Sequence, residues 1–385
     1  MVPPDHLYVH VPFCARRCSY CDFSIAVRST TPVNEYTSSL KAELALGAVT
    51  GSTLETVYLG GGTPSRLGGQ GVADVMSSIR SSARFAHGAE ITIEANPDDV
   101  NDVAAAKWVA AGVNRVSLGS QSFDDSVLMW MHRTHDANQI SEAVKTLRRG
   151  GITNISLDLI FALPATLNRS WERDLTLALD LEPDHVSLYG LTVEAHTPLA
   201  RWATRGAVVE GTEDQYEREF LLANETMTRA GFEHYEVSNF SLPGRASRHN
   251  SAYWTGARYA GVGPSAHSYD GAARRWNVSA YSAWALRLAN GQAVIAGEEF
   301  LTAENRDAEE VYLGLRTRRG LEINETELEV VGRWVEAGWA ELENSRLRLT
   351  PTGWLRLDSL AADLAARRER NANLALSPTP SHCYI

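Results

Sequence analysis

The chain has 385 residues, 44% of them hydrophobic and 22% charged. At roughly 150 residues per domain this is two or three folded units with a globular composition, which excludes disordered, collagen-like and fibrous classes. Its 36 basic residues against 47 acidic ones leave −11, against a general nucleic-acid binder or purely electrostatic attachment to an anionic membrane. No stretch reaches the roughly 18 to 20 apolar residues of a spanning helix, and the N-terminus lacks the pattern of a signal peptide. A cytoplasmic location is therefore expected, where thiols stay reduced.

In chain order, short β-branched and aromatic runs alternate with amphipathic stretches over the first 240 residues. Strands are predicted at Leu7 to Val11, Thr56 to Leu59, Glu90 to Ala95, Arg115 to Gly119, Ile155 to Phe161 and Val186 to Tyr189. Helices are predicted at Asn34 to Ala48, Val72 to Ser82, Val100 to Ala111, Ile140 to Arg149 and Glu213 to Ala230. This alternation predicts βαβ units and a buried parallel sheet, either doubly wound or an incomplete barrel. Residues 241–300 show no clear period and read as an irregular connecting segment. Residues 301–370 predict a smaller helical, winged-helix-like domain, with a hairpin turning at Asn344-Ser345 and a last helix over Thr352 to Arg370. Residues 371–385, with Pro378 and Pro380, read as a disordered tail.

Three of the four cysteines crowd together after the first strand, as Cys14-x3-Cys18-x2-Cys21, while Cys383 stands apart without an assigned role. A disulfide framework would spread its cysteines along the chain. A structural zinc site wants four ligands, and no second pair stands at finger spacing. An iron–sulfur cluster takes one thiolate per iron, so three would leave one iron open. Gly60-Gly61-Gly62-Thr63-Pro64 after the second strand lets backbone approach a ligand without forming a dinucleotide fingerprint. Glu94, Gln121 and Asp158 then put polar groups at or near the ends of the following strands, and Arg133 adds a cation suited to a carboxylate.

The cysteine spacing, with Tyr20 before the third cysteine, resembles the radical S-adenosylmethionine (SAM) superfamily. Within it, the runs Tyr8-Val-His-Val-Pro-Phe-Cys14, Ile-Glu94-Ala-Asn-Pro, Ser-Leu-Gly-Ser-Gln121-Ser-Phe and Asp158-Leu-Ile-Phe-Ala-Leu-Pro resemble the oxygen-independent coproporphyrinogen-III oxidase-like family. The resemblance implies an α/β fold, an incomplete (β/α)6 TIM-like barrel with a smaller C-terminal domain. It implies a [4Fe–4S] cluster on Cys14, Cys18 and Cys21. It also implies SAM held by Tyr8, Gly61, Gly62, Thr63, Glu94, Gln121, Arg133, Asp158 and Gly190.

The oxidases carry a further cysteine where Phe23 stands here, and a longer N-terminal extension. Both departures point to the haem-chaperone branch, and so does His249-Asn250-Ser251-Ala252-Tyr253-Trp254. Imidazole and tyrosinate are haem ligands, and aromatic rings give a macrocycle flat apolar surface. His249, Tyr253 and Trp254 are thus the candidate haem residues, with Arg245, Arg248 and Arg258 for the propionates. The implied partners are haem as cargo and haem-requiring apo-proteins such as respiratory enzymes. Nucleic acid is not among them; membrane contact would come through those partners, and a homodimer is left open. The competing enzyme reading is radical oxidative decarboxylation of coproporphyrinogen III. A third reading, DNA binding through Arg316, Arg318 and Arg319, is weakened by the adjacent Glu309 and Glu310.

Overall fold

Six apolar strands, each followed by one or more helices, build the larger part of the molecule: His6–Val11, Thr53–Gly61, Arg84–Ala95, Arg115–Gln121, Asn154–Phe161 and His185–Gly190. The structure is a computed structural model that describes residues 3–376. Strand interiors are almost continuously buried, as in Asn154–Phe161, because a parallel sheet is covered on both faces. Each strand pairs in parallel with the next in chain order. A doubly wound sheet reverses its order at a switch point, whereas a barrel winds in one direction. The unreversed order therefore decides for the incomplete barrel.

Helices form where their apolar stripe meets this sheet. Ala137–Gly150 opens with a capping box between Asp136 and Gln139 and ends at Gly151, whose φ of 99° fits the left-handed cap. It buries Ile140, Ala143, Val144 and Leu147, the 3.6-residue stripe, with about 1.5–3 kcal/mol for each fully buried large apolar side chain. Trp171–Asp180 was not among the predicted helices. Its buried stripe of Trp171, Asp174, Leu175 and Ala178 contains a carboxylate, which interrupts the apolar period. Asp174 sits there because Arg169 meets it at 3.1 Å and Ser122 and the Phe123 amide bond it at 2.8 Å each.

Residues 241–300 correct the expectation of an irregular segment. Tyr259–Val262 adds a seventh parallel strand beside the first, and His267–Tyr269 and Ala273–Asn277 extend the sheet antiparallel from it. Helix Tyr281–Ala289 and strand Ile295–Phe300 follow. The strands are three to six residues long, too short for a period to register. Gly261 and Gly263 are needed for close approach: a Cβ would lie 2.0 Å from the His267 carbonyl oxygen or 2.4 Å from that of His10.

By contacts, the chain forms two units. The first runs to His234 and takes in Ser238–Tyr253 and Ala257–Glu299; the second holds Tyr235–Val237, Trp254–Gly256 and the residues from Phe300 onward. The second packs helices Ala303–Arg316, Leu328–Glu336 and Leu357–Leu376 with a three-stranded antiparallel sheet. Its hairpin turns through Asn344 and Ser345, with φ of 50° and 63°, the left-handed pair of a two-residue turn. Residues 371–376 continue the last helix, where a disordered tail was expected; residues 377–385, with Cys383, lie outside the described residues. Arg316 pairs with buried Glu236 at 3.0 Å and lies 4.3 Å over the Trp254 ring, which engages one of the three arginines of the DNA-binding reading.

Candidate functional site

The first strand ends at Val11, and the chain enters the cysteine loop at the C-terminal edge of the sheet, where α/β folds place their ligands. Both ends of the loop are tied. Phe13–Cys14 pairs in parallel with Ala26–Val27, and the Ala26 amide donates to the Pro12 carbonyl at 2.7 Å. The Ser19 amide reaches the Met131 carbonyl at 3.1 Å. The loop thus turns back over the barrel mouth.

Beneath it lies a cavity of about 430 Å3 lined by Cys14, Cys18 and Cys21 together with residues from the ends of successive strands. Of the predicted SAM contacts, Gly61, Gly62, Thr63, Glu94, Gln121, Arg133, Asp158 and Gly190 all line it. Tyr8 does not. Its hydroxyl bonds His10 Nδ1 at 3.1 Å, and its ring stacks on Tyr58 at 6.2 Å. Asn96, Ser117, Tyr20, Tyr189 and Phe23 line the cavity although sequence reasoning did not assign them. Ser117 was findable, since strand parity puts it on the face of Gly119.

Each polar group is held in place. Glu94 accepts from the Tyr58 hydroxyl at 2.8 Å and the Gly61 amide at 3.0 Å. Burial pushes its carboxyl up to about 7. Burial also raises Asp158, whose oxygens accept from Ser117 Oγ at 3.0 and 3.1 Å. Gln121 has a φ of 67° next to a register shift after Gly119, a bulge that re-aims the strand end. Gly61 has a φ of 112°, and a Cβ there would meet the His10 ring at 2.6 Å. A side chain at Gly190 would come within 2.2 Å of the Tyr216 ring.

The sulfurs have partners too. Arg133 Nη1 donates to Cys18 Sγ at 3.3 Å, while Nη2 donates to Asn96 Oδ1 at 2.7 Å and the Gly119 carbonyl at 2.8 Å. Cys14 Sγ and Thr63 Oγ1 share a hydrogen bond of 3.3 Å. Burial raises the Cys14 thiol, and that of Cys21 to about 11. Among the described residues, no three or more metal-type side chains converge as ligands to one ion. A cluster makes a different demand, one thiolate per iron. Three thiols on one cavity wall, two with hydrogen-bond partners on their sulfurs, suit that donor set.

The candidate haem residues lie elsewhere. His249 is 1% exposed. Its Nδ1 meets Thr56 Oγ1 at 2.6 Å and its Nε2 meets the Tyr253 hydroxyl at 2.8 Å. Its ring stacks on Tyr58 at 5.1 Å, and burial lowers its pKa to about 3. Both ring nitrogens are thus engaged in the packed interior, and none of His249, Tyr253 and Trp254 lines the cavity. Arg248 is drawn to Glu55 at 3.3 Å and to the Gly88 carbonyl at 2.8 Å, and Arg245 to Asp184 at 3.7 Å. Arg258 is likewise absent from the lining.

A family model of the radical SAM superfamily matches residues 8–178. Coproporphyrinogen III oxidase (HemN) from Escherichia coli shares the fold, with a TM-score of 0.79 over 95% of this chain and 91% of that one, at 21% identity. The wound sheet, the cysteine loop at its C-terminal edge and the family match define a radical SAM protein, a class that implies SAM and an iron–sulfur cluster. Proteins named "Heme chaperone HemW" are more similar in sequence. That of Mycobacterium tuberculosis is 37% identical over 94% of this chain and 95% of its own length. The Bacillus subtilis protein is 33% identical over 82% and 84%, and the Escherichia coli protein 34% over 69% and 70%. The chain belongs to the HemW family.

Proposed function

We propose that this protein is a haem chaperone built on a radical SAM core, one that binds haem and delivers it to haem-requiring apo-proteins such as respiratory enzymes. The observation that carries this is the 37% identity to a haem chaperone across nearly the whole of both chains. In this reading Cys14, Cys18 and Cys21 hold a [4Fe–4S] cluster, which supplies electron-transfer chemistry and an open iron when bound. Glu94 receives the ammonium of SAM, Arg133 offers charge toward its carboxylate, and the glycines at 61 and 62 let backbone approach it. Gln121, Asp158 and Gly190 complete the wall. Tyr8 acts from behind by positioning His10 and, through it, the loop: His10 Nε2 bonds the Ser24 carbonyl at 3.0 Å.

No helix among the described residues is long and apolar enough to cross a membrane. The reading places the protein in the cytoplasm, with membrane contact made through its recipients and a homodimer as the assembly to look for. The test is haem transfer from the loaded protein to an apo-haem protein, followed by the recipient's Soret band. Transfer faster than from free haem is the expected result; no transfer overturns the reading. Anaerobic incubation with coproporphyrinogen III and SAM should leave the substrate unchanged, whereas protoporphyrinogen would establish oxidase activity instead.

A further inference from the structure

The cavity leaves His249 and Tyr253 without a task, yet both are held by a specific set of polar contacts. Glu90 pins the start of their helix, accepting from the Arg248 and His249 amides at 3.0 Å each. One turn apart, His249 and Tyr253 share a face of that helix and meet at 2.8 Å. They lie against His6, Thr56 and Glu90, which stand in register on three neighbouring strands. Interiors of such barrels are ordinarily filled by branched apolar side chains, and a buried polar group is costly unless paired.

Here the pairs form a continuous relay. The Tyr253 hydroxyl donates to His249 Nε2, so the ring proton stands on Nδ1 and is donated to Thr56 Oγ1 at 2.6 Å. The Thr56 hydroxyl in turn donates to His6 Nδ1 at 3.0 Å. His6 is partly exposed. Burial lowers its pKa and Arg248 adds to that, while Glu55, Asp5 and Glu90 favour the charged ring. His249 is held far lower, at about 3, by burial and by His6 and Arg115. A proton leaving Tyr253 therefore does not rest on His249. The ring gains one at Nε2 as it gives one up from Nδ1, and the charge appears on His6.

A phenol placed in this way can be oxidised where an isolated buried phenol cannot. Removing one electron makes the hydroxyl strongly acidic, so oxidation proceeds only if the proton has an exit. Aromatic rings supply the route for the electron. The His249 ring lies 5.0 Å from the Tyr253 ring and stacks on Tyr58 at 5.1 Å. The Tyr58 hydroxyl bonds Glu94 on the cavity wall at 2.8 Å. On its far side Tyr253 lies 4.7 Å from the Tyr259 ring, which is 6.3 Å from Tyr269 on the antiparallel extension of the sheet.

We propose that Tyr253 is a redox-active tyrosine that disarms oxidants formed in the cysteine-lined cavity. The oxidant is a hydroxyl-class radical, of the kind peroxide yields with iron. It takes one electron by way of Tyr58 and His249 and becomes hydroxide. Tyr253 supplies that electron, its O–H bond breaks, and the proton passes through His249 and Thr56 to His6. The products are hydroxide, a neutral tyrosyl radical and the His6 imidazolium, so charge balances. The relay needs no haem.

The experiment mixes the full chain, reconstituted with iron and sulfide, with hydrogen peroxide and freezes it at intervals. Electron paramagnetic resonance reads the tyrosyl radical, and ring-deuterated tyrosine identifies its signal. The parent should form the radical; Tyr253→Phe should lose most of it and shed cluster iron severalfold faster. Thr56→Val keeps the phenol but removes the middle hydroxyl of the relay. Its radical should form severalfold more slowly, without the further slowing in heavy water that the parent shows. Where Tyr253→Phe takes up less iron than the parent, difluorotyrosine at position 253 replaces it and should change the hyperfine pattern. A parent-like radical in Tyr253→Phe, or an unchanged pattern with the fluorinated residue, would overturn the assignment. Iron loss equal to the parent's would overturn the protective role, and a parent-like rate and isotope effect in Thr56→Val would overturn the relay. No tyrosyl radical in the parent would sink the whole proposal and leave the haem-chaperone reading standing.

Discussion

Glu94 shows how one residue sets the conditions under which the cavity binds. Its carboxyl has an ordinary pKa of 4.5, and burial pushes it to about 7 despite the donors from Tyr58 and Gly61. A carboxyl raised by folding contributes stability that is present below the ordinary value and lost as pH rises through the folded one. Binding has the opposite sign, because an ammonium needs the ionised carboxylate. Affinity for SAM should therefore climb as pH rises through about 7, and Glu94→Gln should weaken binding and flatten that dependence. Calorimetric titration on both sides of neutrality checks this; an equal slope in the variant would show that another group titrates. Much of this wall was readable beforehand, because a carboxylate ending an apolar strand needs a reason to be buried. Tyr8 was not, since parity gives the face a strand residue points to but not the depth at which its hydroxyl finds His10.

At the scale of elements, Glu43 ties the first helix to the returning segment. From the end of Val33–Leu44 its carboxylate accepts from the Gly263 amide at 2.8 Å, Trp284 Nε1 at 2.9 Å and Asn277 Nδ2 at 2.6 Å. The seventh strand and the helix Tyr281–Ala289 are thereby fixed beside the strand that leads into the cysteine loop. Glu43→Ala would strand buried donors, each costing about 1–3 kcal/mol when unsatisfied. The expected result is a lowered urea midpoint, with Glu43→Gln falling between parent and alanine; an unchanged midpoint would mean that water replaces the carboxylate. This junction was illegible in the sequence. Glu43 reads as one more surface charge on an amphipathic helix, and its partners lie more than two hundred residues away.

For the whole molecule, the expected division is between a cluster that needs the cysteine loop and a cargo site that needs only the fold. Replacing Cys14, Cys18 and Cys21 together by alanine should remove the roughly four irons per chain of a reconstituted [4Fe–4S] cluster. It should leave haem titration of the folded apo-chain within about twofold of the parent, since none of His249, Tyr253 and Trp254 lines the cavity that the cysteines share. Iron analysis and haem titration on one preparation decide this, and loss of both together would join the two sites into one. What the sequence by itself determined here is local: three thiols within eight residues, glycines at a strand end, a hairpin turn, and the alternation that makes a parallel sheet. Those depend on near neighbours and on the periods of strand and helix, so spacing is enough to state them. Only the tertiary structure decided which side chains share a surface. It turned His249 inward to Thr56 and Tyr253 and left the neighbouring Arg248 side chain at the surface beside Glu55, because burial and hydrogen bonding, not position along the chain, select the groups left facing solvent.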